Sequence, residues 1–131
     1  MSPSTEELYE SAIVAHYESP RHRGTLEGPK FSHSERNPTC GDHVQLEASI
    51  DRDRIDRLRF SAQGCIISQA AASLLCEYAE GKRLLDLQKL AADEMLKLLQ
   101  VPLVPGRIQC ALLPYRALKA IVYSSQGPME K

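Results

Sequence analysis

Between His43 and Ala62 the chain alternates with a period of two, and beyond Gly64 it does not. Val44, Leu46, Ala48 and Ile50 alternate with His43, Gln45, Glu47 and Ser49, the pattern of a half-buried strand. The polar run Asp51-Arg52-Asp53-Arg54 makes a turn, after which Leu58, Phe60 and Ala62 alternate with Arg57, Arg59 and Ser61. So short a connection predicts an antiparallel hairpin. From Gly64 the repeat becomes helical. Ile67, Ala71, Leu74, Leu75 and Tyr78 share one face, and Gly81 closes the helix. Residues 84–90 and 92–100 read as two shorter helices with Leu84, Leu87, Leu90, Met95, Leu96 and Leu99 inward. Pro102, Pro105 and Gly106 interrupt the chain. A last helix, with Leu112, Tyr115, Leu118, Ile121 and Val122 inward, is predicted to end near residue 124.

Upstream, Leu8, Tyr9, Ala12, Ile13 and His16 recur at helical spacing, so residues 5–17 predict a helix capped by Ser4 or Thr5 and ended by Pro20 and Gly24. Residues 18–37 read as an extended loop with a short strand near 31–35. Strands first and helices after predict an α+β domain, a small antiparallel sheet covered by helices. At 131 residues the whole chain, 1–131, is expected to form one domain. A hydrophobic content of 43% is enough to build its core.

Charge narrows the function. Lysine and arginine number 16 against 17 acidic residues, a formal net charge of −1. That balance argues against nucleic-acid binding and against docking on an anionic membrane. No apolar run approaches the ~18 residues of a membrane span. Met1-Ser2-Pro3-Ser4-Thr5-Glu6-Glu7 lacks the basic start and apolar stretch of a signal peptide, so the expected compartment is the cytoplasm.

In a reducing compartment, thiols serve as metal ligands, nucleophiles or small buried hydrophobes more often than as disulfide partners. Cys40 lies in the turn entering the first strand, Cys65 where the second strand gives way to a helix, and Cys110 at or just before the last helix. Each sits near Gly or Pro at an expected junction, where side chains from different segments can converge. Cys65 and Cys110 are expected near helix N-termini, where the dipole favours a thiolate. Arg107 adds positive charge beside Cys110. Pro114 marks either a break or the first turn of the last helix, and both versions keep Cys110 near a helix start.

In an extended segment Cys40 and Asp42 point to one side, with Gly41 between them. Three thiolates and this carboxylate would make a four-coordinate site acceptable to zinc or to an iron–sulfur cluster. The absence of a Cys-x-x-Cys pair excludes a zinc-ribbon or thioredoxin pattern. Cys76 follows Cys65 by some three helical turns, ~16 Å along an axis, and reads as a packed thiol. His16 reads as structural, His22 and His33 as solvated loop residues, and His43 as facing away from Asp42.

The residues around the cysteines carry a resemblance. Asn37-Pro38-Thr39-Cys40-Gly41-Asp42, Gly64-Cys65-Ile66-Ile67-Ser68-Gln69-Ala70-Ala71-Ala72-Ser73 and Pro105-Gly106-Arg107-Ile108-Gln109-Cys110 resemble the three cysteine motifs of the U-type iron–sulfur scaffold family (IscU, SufU and the N-terminal domain of NifU). His16-Tyr17-Glu18-Ser19-Pro20-Arg21-His22-Arg23-Gly24 resembles the family's His-Tyr-x-x-Pro-Arg-x-x-Gly segment, and the match spans roughly residues 7–123.

The resemblance implies a three-stranded antiparallel sheet packed against four to five helices, the SufE/NifU-like arrangement. It implies a solvent-facing centre of Cys40, Asp42, Cys65 and Cys110 for a [2Fe–2S] cluster or Zn2+. Its implied partners are a cysteine desulfurase, which delivers sulfur as a persulfide, and the apo iron–sulfur proteins that receive clusters. Arg107 would then steer an anionic persulfide or stabilise a thiolate, the alternative being a solvated charge.

Departures from the pattern also inform. Gln109 stands where IscU-type members carry His, so a histidine ligand there is excluded. Ser68, the Ala70–Ser73 run and Pro105-x-Arg107-Ile108-x-Cys110 are closer to the SufU form, yet the SufU insertion between the second and third cysteines is absent. Residues 103–107 only partly echo the chaperone-binding segment of IscU. Three roles follow. The first is a non-enzymatic scaffold that accepts sulfur, holds a cluster and transfers it. The second is a zinc-dependent sulfurtransferase of the SufU type, with Cys40 or Cys110 as persulfide acceptor. The third is a zinc-stabilised interaction domain.

Overall fold

The computed structural model describes residues 15, 16, 18, 22–28, 30–38, 41–99 and 105–125. The expected helix over 5–17 falls mostly outside them, as does Cys40; Ala15, His16 and Glu18 are helical. The described elements are β1 (Phe31–Arg36), β2 (His43–Asp51), β3 (Arg54–Gln63), α1 (Ile66–Ala79), α2 (Leu84–Gln88), α3 (Ala92–Leu99) and α4 (Pro105–Ser125). The strands form one antiparallel sheet in the order β1-β2-β3, and the helices follow. This is the expected α+β architecture.

The hairpin turns through Arg52, whose φ of 61° is left-handed, and pairs Asp51 with Arg54. Val44, Leu46 and Ala48 are fully buried opposite Ala62, Phe60 and Leu58. A register irregularity between Ser49 and Ile50 breaks the period of two, so Ile55 joins Leu58 on the buried face at a spacing that strict alternation would not reveal. The outer edge of β3 is covered by residues 22–24. The Phe60 amide donates to the His22 carbonyl at 2.9 Å, and the Gly24 amide to the Phe60 carbonyl at 2.8 Å. Leu26 follows, buried, its amide donating to the buried Glu47 carboxylate at 2.7 Å.

Two helices differ from their expected form. On α1 the buried residues are small: Ser68, Ala70, Ala71, Ala72, Ser73, Cys76 and Ala79, with Leu75. Ile67 and Leu74 are half-buried, and Tyr78 is 36% exposed. Small side chains let α1 lie close to α4 and β3, so the bulky residues flank the contact. Helix α4 begins at Pro105, where the missing amide costs nothing, and runs through Pro114. Cys110 is therefore the sixth residue of a helix and not at its start, so the expected stabilisation by a helix N-terminus does not apply to it. Leu113, Pro114, Ala117, Leu118, Ile121 and Val122 are buried, whereas Leu112 and Tyr115 are half-buried. From α2 and α3, Leu84, Leu87, Met95 and Leu99 complete the core with Leu90; Leu96 is half-buried.

Candidate metal centre

Asp42 sits at the entrance to β2. The Gly41 amide donates to the Asn37 carbonyl at 2.7 Å, and the Asn37 amide to the Asp42 carbonyl at 2.8 Å. Gly41 takes a φ of 79°, which favours glycine. At the other junction, Gly64 takes a φ of 118°. A Cβ there would stand 2.6 Å from Asp42 Cγ and 2.9 Å from its Cα, so only glycine lets the Asp42 carboxylate lie against this turn. Cys65 follows as the N-cap of α1. Its amide donates to Asp42 Oδ1 at 3.1 Å and its thiol to Oδ2 at 3.1 Å.

Cys110 reaches the same point from α4. One ligand atom from each of Asp42, Cys65 and Cys110 lies within 4.8 Å of the others. Asp42 and Cys110 are buried and Cys65 is half-buried. Burial alone would raise the Asp42 pKa. Hydrogen bonds from the side chains of Ser68, Cys65 and Cys110, and from the Cys65 amide, outweigh it and hold the carboxyl well below the usual range. Asp42 is thus an anion at neutral pH. Arg107 is exposed over the pair of sulfurs. The charge of Cys65, and then a hydrogen bond with Cys110, push its guanidinium pKa up against a small opposing effect of burial.

Three of the four expected ligands therefore meet, with Arg107 beside them; Cys40 lies outside the described residues. Cys76 is fully buried on α1, and burial pushes its thiol pKa well up, so it is inert. His16 is structural as expected, its Nδ1 hydrogen-bonded with Ser73 Oγ at 2.8 Å. His22 differs from the solvated residue expected: its side chain is 12% exposed and Nε2 meets Glu80 Oε1 at 3.1 Å. His33 lies in β1 and contacts Glu35. Gln109 faces Arg116, a hydrogen-bond partner on the same helix.

The sequence pattern assigns Ser68 no role at the site. Fully buried, it donates to Asp42 Oδ2 at 2.7 Å and to the Cys110 carbonyl at 3.2 Å. The only local signal was a serine in the first turn after Cys65. Two sulfurs and a hard carboxylate oxygen suit zinc or a sulfur-rich iron centre, so the chemistry of this donor set fits either group.

The model of the NifU-like N-terminal domain matches residues 8–129. The chain belongs to this family. Among its NifU-like relatives, the zinc-dependent sulfurtransferase SufU of Bacillus subtilis (strain 168) is 33% identical, the match covering 92% of each chain. The iron–sulfur cluster assembly scaffold protein IscU of Escherichia coli (strain K12) is 30% identical, over 93% of this chain and 97% of that one. A crystal structure from Fervidobacterium islandicum AW-1, described as a candidate iron–sulfur cluster assembly scaffold for the SUF system, superposes with a TM-score of 0.76. It is 25% identical and covers 91% of this chain and 99% of its own. Among the described residues of this NifU-like domain, no helix is long and apolar enough to cross a membrane.

Proposed function

We propose that this NifU-like domain is an iron–sulfur cluster assembly scaffold. It accepts sulfur from a cysteine desulfurase, holds a nascent [2Fe–2S] cluster on Cys40, Asp42, Cys65 and Cys110, and passes it to apo-proteins. The observation that carries this reading is the meeting of Asp42, Cys65 and Cys110 donor atoms within 4.8 Å. The cluster is cargo, so it must be held and then released. A carboxylate oxygen is harder than a thiolate and binds sulfur-rich iron less well, so the Asp42 corner is the weak one. Half-exposed Cys65 leaves an approach for iron and sulfide, and Arg107 offsets the negative charge that accumulates there. Anaerobic reconstitution with iron and sulfide should give a visible-absorbing cluster that moves to an apo-ferredoxin. Cys65→Ser and Cys40→Ala should each abolish most of that absorption. Unchanged yield and transfer in both variants would sink the proposal.

A second reading is favoured by Gln109, which excludes the IscU-type histidine, and by similarity to a zinc-dependent sulfurtransferase. Zinc bound by the same residues would keep the thiols deprotonated. An acceptor thiolate then attacks the outer sulfur of the desulfurase persulfide. A new S–S bond forms on the acceptor, the old S–S bond breaks, and the desulfurase cysteine leaves as thiolate. The burial of Cys110 favours Cys40 as acceptor. Metal analysis of anaerobically purified protein, with desulfurase turnover measured in the presence of its zinc form, separates the two readings. Stimulation lost in Asp42→Ala supports sulfur transfer, and a desulfurase rate indifferent to the protein excludes it.

A further inference from the structure

Ser68 is fully buried in the first turn of α1, yet its hydroxyl faces three polar groups of the centre. Asp42 Oδ2 lies at 2.7 Å, the Cys110 carbonyl at 3.2 Å and Cys65 Sγ at 3.6 Å. A hydroxyl carries one hydrogen, so the carboxylate and the carbonyl share it, the nearer carboxylate taking the larger part. In a regular helix the amide four residues on would donate to the Cys110 carbonyl. That residue is Pro114, which has no N–H. A serine of α1 thus donates at a point where the sequence of α4 omits its own donor. Meanwhile Asp42 Oδ1 accepts the Cys65 amide at 3.1 Å. Both carboxylate oxygens are therefore held by the first turn of one helix.

We infer that Ser68 is a positioning residue of the centre: its hydroxyl fixes the aim of the Asp42 carboxylate at the sulfurs of Cys65 and Cys110, and ties that carboxylate to the backbone beneath Cys110. The inference rests on the metal-centre reading above. The Cys65 thiol also donates to Oδ2, but a thiolate bound to metal has no proton to give, so Oδ2 then keeps the Ser68 bond and a lone pair for the ion, and Ser68 orients the ligand without replacing the metal. Without the hydroxyl, Oδ2 loses its shortest restraint and the carboxylate pivots more freely about the Cys65 amide bond to Oδ1, and the metal must pay to order it.

The test uses the full chain with zinc and cobalt(II) as probes. Zinc affinity is measured by competition with a chromophoric chelator, and the ligand set is read from the visible spectrum of the cobalt form. Ser68→Ala should weaken zinc binding about 10–100-fold, the range for partners of metal ligands. It should also alter the ligand-field bands of cobalt while thiolate-to-cobalt absorption persists. Ser68→Thr and Ser68→Val share a shape and differ by the hydroxyl, so any cost of the added methyl group cancels between them. The threonine variant should bind zinc at least about tenfold more tightly than the valine variant. Equal affinities in that pair, with a cobalt spectrum unchanged in Ser68→Ala, overturn the inference while leaving the metal centre intact. A wild-type chain that binds neither zinc nor cobalt through its thiolates overturns the centre, and the inference with it.

Discussion

The demands on single residues are sharpest around Asp42. Its carboxylate lies against a turn that tolerates no side chain at Gly64, accepts the Cys65 amide and thiol, and accepts the buried Ser68 hydroxyl. Gly64→Ala meets both a left-handed backbone and an occupied space. It should destabilise the metal-free chain by about 2–4 kcal/mol, measured by urea denaturation, from backbone strain plus overpacking. The same variant should bind zinc more weakly, because relief of the clash displaces Asp42. A metal-free stability equal to that of the wild type would mean that the turn accommodates a methyl group after all. None of this closeness is written locally. Cys40, Asp42 and Cys65 could be picked out because a cysteine beside glycine where one element gives way to the next is conspicuous, whereas Cys110, inside α4, is marked by the run Pro105-Gly106-Arg107-Ile108-Gln109-Cys110. Ser68 and Gly64 matter through a partner more than twenty residues earlier in the chain, a relation that no local pattern carries.

Among the elements, the strands were the most legible. The β2–β3 hairpin declares itself by alternation, and only the irregularity at Ser49 and Ile50 hides the inward Ile55. Helix α1 is legible in the sequence but its buried face is not, because an Ala- and Ser-lined contact carries little hydrophobic signal and Tyr78, in phase with the apolar positions, is exposed. The start of α4 is hidden in the sequence because Pro105 and Pro114 read as breakers, although a first-turn proline suits a helix and tertiary packing holds an interior one. The C-terminal end of α1 is tied down by Glu80. Its carboxylate accepts the Leu58 amide at 2.9 Å, Arg59 Nη1 at 3.1 Å and, through its other oxygen, His22 Nε2 at 3.1 Å. Burial opposes ionisation there, but these hydrogen bonds and charges prevail and the pKa is lowered. A carboxyl depressed by folding contributes stability above the ordinary glutamate range, and that contribution disappears as acid protonates it. Glu80→Gln should therefore cost about 1–3 kcal/mol at neutral pH, and the gap from wild type should close as pH falls below about 4. Denaturation curves of both proteins at several pH values check this, and a gap independent of pH would refute it.

For the molecule as a whole, the core and the candidate metal centre are separable. Phe60, Leu46, Ile55, Leu58, Leu75, Met95, Leu118 and Ile121 are buried and form a cluster without Asp42 or Cys65. Chelation should then leave far-ultraviolet circular dichroism largely unchanged. Saturating zinc should raise stability only by mass action, about 2.7 kcal/mol at a hundredfold excess over the dissociation constant. A chain that unfolds on chelation would instead resemble a small zinc-built module, the interaction-domain role. The donors also hang from three different supports: Asp42 from the entrance to the sheet, Cys65 from the head of α1, and Cys110 from the second turn of α4. A cage with its corners on separate beams keeps its shape only while the beams keep their spacing. A substitution far from the sulfurs that shifts α4 against the sheet should therefore be felt at all three corners, because Ser68 bridges the Asp42 carboxylate and the Cys110 carbonyl.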